Sequence, residues 1–161
     1  MESPEPAPPP ERPPRAPRGD AFLRPGAGGW AIGERLTWVS GLVLCLSSFM
    51  DWYAGSDSVG PTIGVIGWHT GALGKLVFFI GLAVLALVAL REVGIELPTT
   101  VPESLVVIAL GSLATIFVLI RLISIPDEFL PASGRGIGIW IALLAAFAVI
   151  AAGLLRAAEE L

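Results

Sequence analysis

The stretch GALGKLVFFIGLAVLALVAL, Gly71 to Leu90, decides how this chain is read. Lys75 is its only charge, the fifteen residues from Leu76 to Leu90 are uninterrupted by any other, and Arg91 closes it. A helix rising about 1.5 Å per residue needs roughly twenty apolar residues to cross a hydrocarbon core of about 30 Å. Lys75 therefore belongs near one end of such a helix, where it snorkels or finds a partner. Three stretches of similar character flank this one, so the spans are expected at about 32–52, 71–90, 101–124 and 137–155. The fold class that follows is an all-α membrane protein, a four-transmembrane-helix antiparallel bundle occupying residues 30–157.

Composition points the same way. The chain is 54% hydrophobic and 15% charged with a mean hydropathy of +0.77, whereas soluble domains carry about a quarter charged residues. A net charge of −4 argues against nucleic acid as a partner, since binding duplex phosphates needs a basic face. Cys45 is the single cysteine; it can form no intrachain disulfide and is expected to pack as a small apolar residue.

Residues 1–29 hold nine of the fourteen prolines, mixed with Glu, Arg, Ala and Gly. This composition buries too little apolar surface to offset chain entropy, and a disordered Pro-rich N-terminal arm of polyproline II character is expected. Pro14 and Pro17 form a PxxP spacing flanked by arginine. Any proline-rich tail contains this spacing by chance, so a solvated tail weakly attracted to anionic lipid is expected ahead of a proline-recognition site. The arm is too long and proline-rich for a signal-peptide n-region, and no small-x-small cleavage site follows the first span.

Within the first span, Thr37, Gly41, Cys45 and Ser48 recur at helical spacing, a stripe of small residues that lets a second helix approach closely. Trp30 and Trp38 are expected near one membrane surface and Trp52 and Tyr53 near the other. Residues 53–70 form the first loop, in which 59–68 make either a short hairpin or a re-entrant segment. Thr100, Val101, Pro102 and Glu103 match a capping box and place the start of the third helix near Val101. Ser124, Ile125 and Pro126 end it. Gly138, Ala142, Ala145, Ala146 and Gly153 give the fourth span a small-residue side, and residues 158–161 form a short polar tail.

Lysine and arginine set the orientation. Arg12, Arg15, Arg18, Arg24, Arg35, Arg91 and Arg156 fall on one side and Lys75, Arg121 and Arg135 on the other, seven against three. Both termini are expected in the cytoplasm.

The candidate site is a polar cluster at the outer end: Asp51, His69, Lys75, Arg121 and Asp127, with Asp57, Glu128 and Arg135 nearby. Asp51 with Arg121 or Lys75 is the pairing to expect first. Such a cluster serves as an ion relay or anion contact at a bundle mouth, or as an interfacial ion pair joining helix ends; the second reading needs no ionisable group at mid-membrane. One histidine and one cysteine fall short of a zinc set, Ser47 and Ser48 have no histidine at a matching depth, and Gly134, Gly136 and Gly138 lack the strand and lysine of a phosphate loop. No enzyme, metal or cofactor is expected.

Phe49-Met50-Asp51-Trp52-Tyr53, Gly67-Trp68, Arg121-Leu122-Ile123 before Pro126, and Gly136, Gly138 and Trp140 resemble the pattern of small four-span membrane proteins of actinobacteria and related high-GC bacteria, over about residues 33–157. That pattern often has proline where this chain has Asp51, which weighs against a relay built on Asp51. The resemblance implies the four-span topology and a bacterial plasma membrane, and assigns no activity. The expected function is therefore structural or accessory: a bundle that packs, through faces including Gly41, Cys45, Gly138 and Ala142, with itself or with a larger membrane protein in the lipid bilayer. The alternative is a small-solute transporter or pore with a charged outer mouth.

Overall fold

A computed structural model describes residues 27–55, 63–95, 101–124 and 134–160. The elements run α1 (Ala27–Ser47), β1 (Asp51–Gly55), β2 (Ile63–Ile66), a single 3₁₀ turn (Gly67–His69), α2 (Ala72–Glu92), α3 (Glu103–Ile123), β3 (Gly134–Arg135) and α4 (Ile137–Glu160). Residues 1–26 of the expected arm lie outside the described residues.

Helices α2, α3 and α4 are long and apolar enough to cross a membrane, and less than half of each is buried within the protein. That combination is the signature of a membrane protein, since water would not tolerate the remaining apolar surface. The helices pack in cyclic order, α1 on α2, α2 on α3, α3 on α4 and α4 on α1. Gly33 lies beside Arg156, while Arg91 and Arg156 both meet Glu103. The starts of α1 and α3 and the ends of α2 and α4 therefore share one end of the molecule. The opposite end carries the strands.

Small residues set the helix spacing. A Cβ on Gly81 of α2 would sit 2.8 Å from Cys45 Sγ of α1, and one on Gly111 of α3 would sit 2.8 Å from Ile150 of α4. Thr37, Ser40, Cys45 and Ser47 of α1 are buried, with Thr37 Oγ1 donating to Gly33 O and Ser47 Oγ to Leu44 O, so their hydroxyls are satisfied within their own helix. Val77, Val84, Val107, Ala114, Val118, Ala142, Ala146 and Val149 fill the core between the helices.

Four helix ends differ from expectation: α1 begins at Ala27, so residues 27–29 are helical instead of part of a disordered arm, and the other three are the end of α1, the start of α3 and the end of α4. The first helix stops at Ser47 rather than near Trp52: Ser48, Phe49 and Met50 turn through i→i−3 bonds of 3.0–3.2 Å, and the chain enters β1 at Asp51. The third helix starts at Glu103 with Pro102 as its N-cap and no side-chain cap; Glu103 pairs with Arg156 instead of reaching back, and Thr100 lies outside the described residues. The fourth helix continues to Glu160, so the expected polar tail is its last turn. At the end of α2, Gly94 at φ +81° lets Gly94 N–H reach Arg91 O and Ile95 N–H reach Leu90 O, a Schellman motif that closes the helix.

The fold is mostly helical but not all-α, because the strands form a sheet of order β2-β1-β3, antiparallel throughout. The hairpin joins 51–55 to 63–66, not residues within 59–68, and its third strand comes from just before α4. The register slips between Asp51 and Tyr53, so Trp52 is an extra residue in β1. This bulge breaks the inward–outward alternation of a strand and turns two successive aromatics, Trp52 and Tyr53, inward.

Candidate functional site

Trp52 and Tyr53 have no exposed surface: both side chains belong to the core of the protein. Trp52 Nε1–H donates to Ser47 O at 2.8 Å, a second donor to a carbonyl at the end of α1 that also accepts from Met50 N–H at 3.2 Å. Tyr53 O–H donates to Arg121 O at 2.7 Å and fastens the sheet to the end of α3. Burial raises the Tyr53 phenol above its ordinary pKa, against the opposing charges of Arg121 and Arg135. Gly136 N–H donates to Trp52 O at 2.7 Å, and a Cβ at Gly138 would lie 2.7 Å from Met50 Cβ, so the start of α4 is pressed against the turn between α1 and β1.

The expected outer cluster does not assemble as ion pairs among the described residues. Asp51 is exposed, and its carboxylate lies over Gly64 on β2, where any side chain would collide with it. Arg121 turns away to α2: its Nη2 would lie 2.7 Å from a Cβ on Gly71, the N-cap at φ +100°, and its buried Nε has no partner. Lys75 is exposed and holds its Nζ 5.7 Å from the centroid of the Trp68 ring, a cation–π contact in place of a carboxylate. Trp68 stacks on Phe49 and meets Phe78 edge to face. Arg135 Nε–H donates to Leu122 O at 2.7 Å. His69 is exposed at the end of the 3₁₀ turn. Asp57, Asp127 and Glu128 lie outside the described residues. Among the described cations at this end, Arg135 thus serves a backbone carbonyl and Lys75 an aromatic face, while Arg121 lies beside the start of α2.

Of the expected packing residues, Gly41 and Cys45 face α2, where a Cβ on Gly41 would sit 3.0 Å from Val84 Cγ1 and Cys45 Sγ lies 3.5 Å from Phe78 O. Ala142 is fully buried in the core. All four expected packing positions thus serve contacts within the chain. Between α1 and α4 an open groove of about 300 Å³ remains, lined by Leu36, Val39, Val43 and Leu144 with Ser40 and Ala148 among its smaller residues.

Among the described residues, the ion pairs lie at the other end, outside the expected cluster. Arg156 is only 5% exposed; its Nη1 lies 2.7 Å from Glu103 Oε1, and Arg91 Nη1 lies 3.8 Å from Glu103 Oε2. One carboxylate thus ties α2, α3 and α4 together. Gly33 packs beside the Arg156 stem, whose Cγ lies 3.6 Å from the position a Cβ would take, an ordinary contact distance. Arg156 Nε and Nη2 are buried with no partner. The apolar run up to Leu155 gave a partial signal, since a charge that ends a span has to find a partner or water.

No family model, curated protein or solved structure matches the chain.

Proposed function

We propose that the chain is a four-span plasma-membrane protein of bacterial type with a structural or accessory role, and that α1 is the fourth span. The observation that carries this reading is the partition of apolar surface. Outward faces bear Leu42, Leu46, Phe79, Ile116, Leu144 and Phe147, each exposed, while the interior is closed by valine, alanine and glycine contacts. A protein built this way presents an apolar outer wall and a packed centre, which suits association in lipid better than conduction or turnover. Helix α1 supports the fourth span because it packs on both α2 and α4 and turns Ile32, Val39, Leu42 and Leu46 outward. Glu34 and Arg35 sit in its first half, at the end where Arg91 and Arg156 lie.

The excess of arginine in the arm and at that end puts both termini in the cytoplasm and the sheet outside. The open groove between α1 and α4 is a surface on which a second copy or a larger membrane protein would seat a helix. Crosslinking in native membranes, with a C-terminal affinity tag and mass spectrometry of the products, tests the accessory role. A reproducible complex, with itself or a partner, is expected. Recovery of the lone monomer, together with solute flux in liposomes that Arg121→Gln abolishes, would replace the accessory role with the pore reading.

A further inference from the structure

The unpartnered donors of Arg156 are not two unrelated atoms. Nε–H and the N–H of Nη2 on the same side of the planar guanidinium form one edge of the fork, the edge that takes two oxygens of a carboxylate or phosphate. Glu103 occupies the other side through Nη1 at 2.7 Å. The residue is 5% exposed, so the open edge is screened from bulk water that would otherwise satisfy it. Arg91 approaches the same carboxylate at 3.8 Å and brings a second guanidinium to this end. Helix α3 begins here at Pro102 without a side-chain cap, so the positive end of its backbone dipole adds to the field.

Depth identifies what reaches this place. Arg156 lies about 28 Å along α4 from Ile137 at 1.5 Å per residue, the separation between the two headgroup layers of a bilayer. We propose that the open edge of Arg156, backed by Arg91 and the first turn of α3, holds the phosphodiester of an anionic phospholipid. The proposal rests on the membrane-spanning reading above. Guanidinium and phosphodiester match in charge and in two-point geometry, and the basic side of a membrane protein faces the leaflet richest in anionic lipid. Because that edge is buried, the proposal requires a neighbouring side chain to move aside, and Glu159, exposed and with Oε2 4.0 Å from the Cβ position of Gly33, is the one assigned that movement.

The test is native mass spectrometry and thermal unfolding of the full chain in mild detergent. Phosphatidylglycerol is added in one arm, a diacylglycerol of the same chains in a second and inorganic phosphate in a third. Phosphatidylglycerol is expected to form adducts and raise the midpoint, and the other two are expected to do neither. Arg156→Gln should lose at least ten-fold in adducts. Arg156→Lys, which keeps the charge but not the two-point edge, should fold and still lose several-fold. Glu159→Ala should bind as the unaltered chain or better. Three results would overturn the proposal: adducts of Arg156→Lys equal to those of the unaltered chain; inorganic phosphate matching the lipid, which would reassign the site to a free oxyanion; or Glu159→Ala lowering the midpoint while the lipid gives no protection, which would make Glu159 the partner. Carbonate extraction of native membranes reads the spanning claim separately, so its failure is distinguishable from failure of the lipid site.

Discussion

Trp52 sits where the sequence gives no warning of burial. An aromatic residue at the end of an apolar run has the same composition whether it floats among headgroups or lies under a sheet, and the bulge that turns it inward is not written in its neighbours. Replacing it with alanine removes the side chain that fills the space beneath β1 and leaves Ser47 O without its indole donor. The expected loss is about 3–5 kcal/mol, read as a lower unfolding midpoint in detergent, whereas Trp68→Ala, at a partly exposed position, should cost less. Tyr53 gives a pH dependence with a definite sign. Its folded pKa lies above the unfolded value of about 10, so the stability it contributes is complete below that pH and is lost as pH rises toward the folded pKa. Unfolding midpoints measured between pH 8 and 11 should fall only at the alkaline end, and Tyr53→Phe should flatten that fall.

The helices are legible because each rests on local composition, and the sheet is not because it rests on pairing at a distance. Strand β3 is two residues long, and its partners Tyr53 and Ala54 lie on the far side of two intervening helices in the sequence. The capping box failed for a related reason: Glu103 has a stronger partner in Arg156, which no local spacing reveals. The polar cluster drawn at the outer end joined residues that share a surface but not a geometry, since Asp51 and Arg121 face different elements. The end of α2, by contrast, is local chemistry. Gly94 at φ +81° has nothing within 4 Å of its Cβ position, so a side chain there meets only the backbone cost of the left-handed region. Gly94→Val should therefore destabilise by about 1–2 kcal/mol without disturbing packing, measurable as a shifted midpoint with an unchanged helical circular-dichroism signal.

At the scale of the whole molecule the features converge on one arrangement: three helices fit to cross a membrane, a fourth packed among them, a sheet covering one end and an ionic clasp across three helices at the other. The sheet and two further bonds, Trp68 N–H to Ser48 O and Gly67 N–H to Met50 O, tie together the described parts of the connection from α1 to α2. The clasp sets α2, α3 and α4 in register where the chain changes direction. Both devices make sense in a protein whose helices are held by packing and end contacts rather than by water-driven burial of their outer faces. The most direct measurement is labelling of single cysteines with a membrane-impermeant maleimide in intact cells, in a Cys45→Ser background. Cysteines are placed one at a time at Gly28, His69 and Ala158. The account predicts that His69→Cys is labelled from outside, while Gly28→Cys and Ala158→Cys react only after permeabilisation. Labelling of Gly28→Cys together with His69→Cys would contradict it, because α1 would then not cross the membrane.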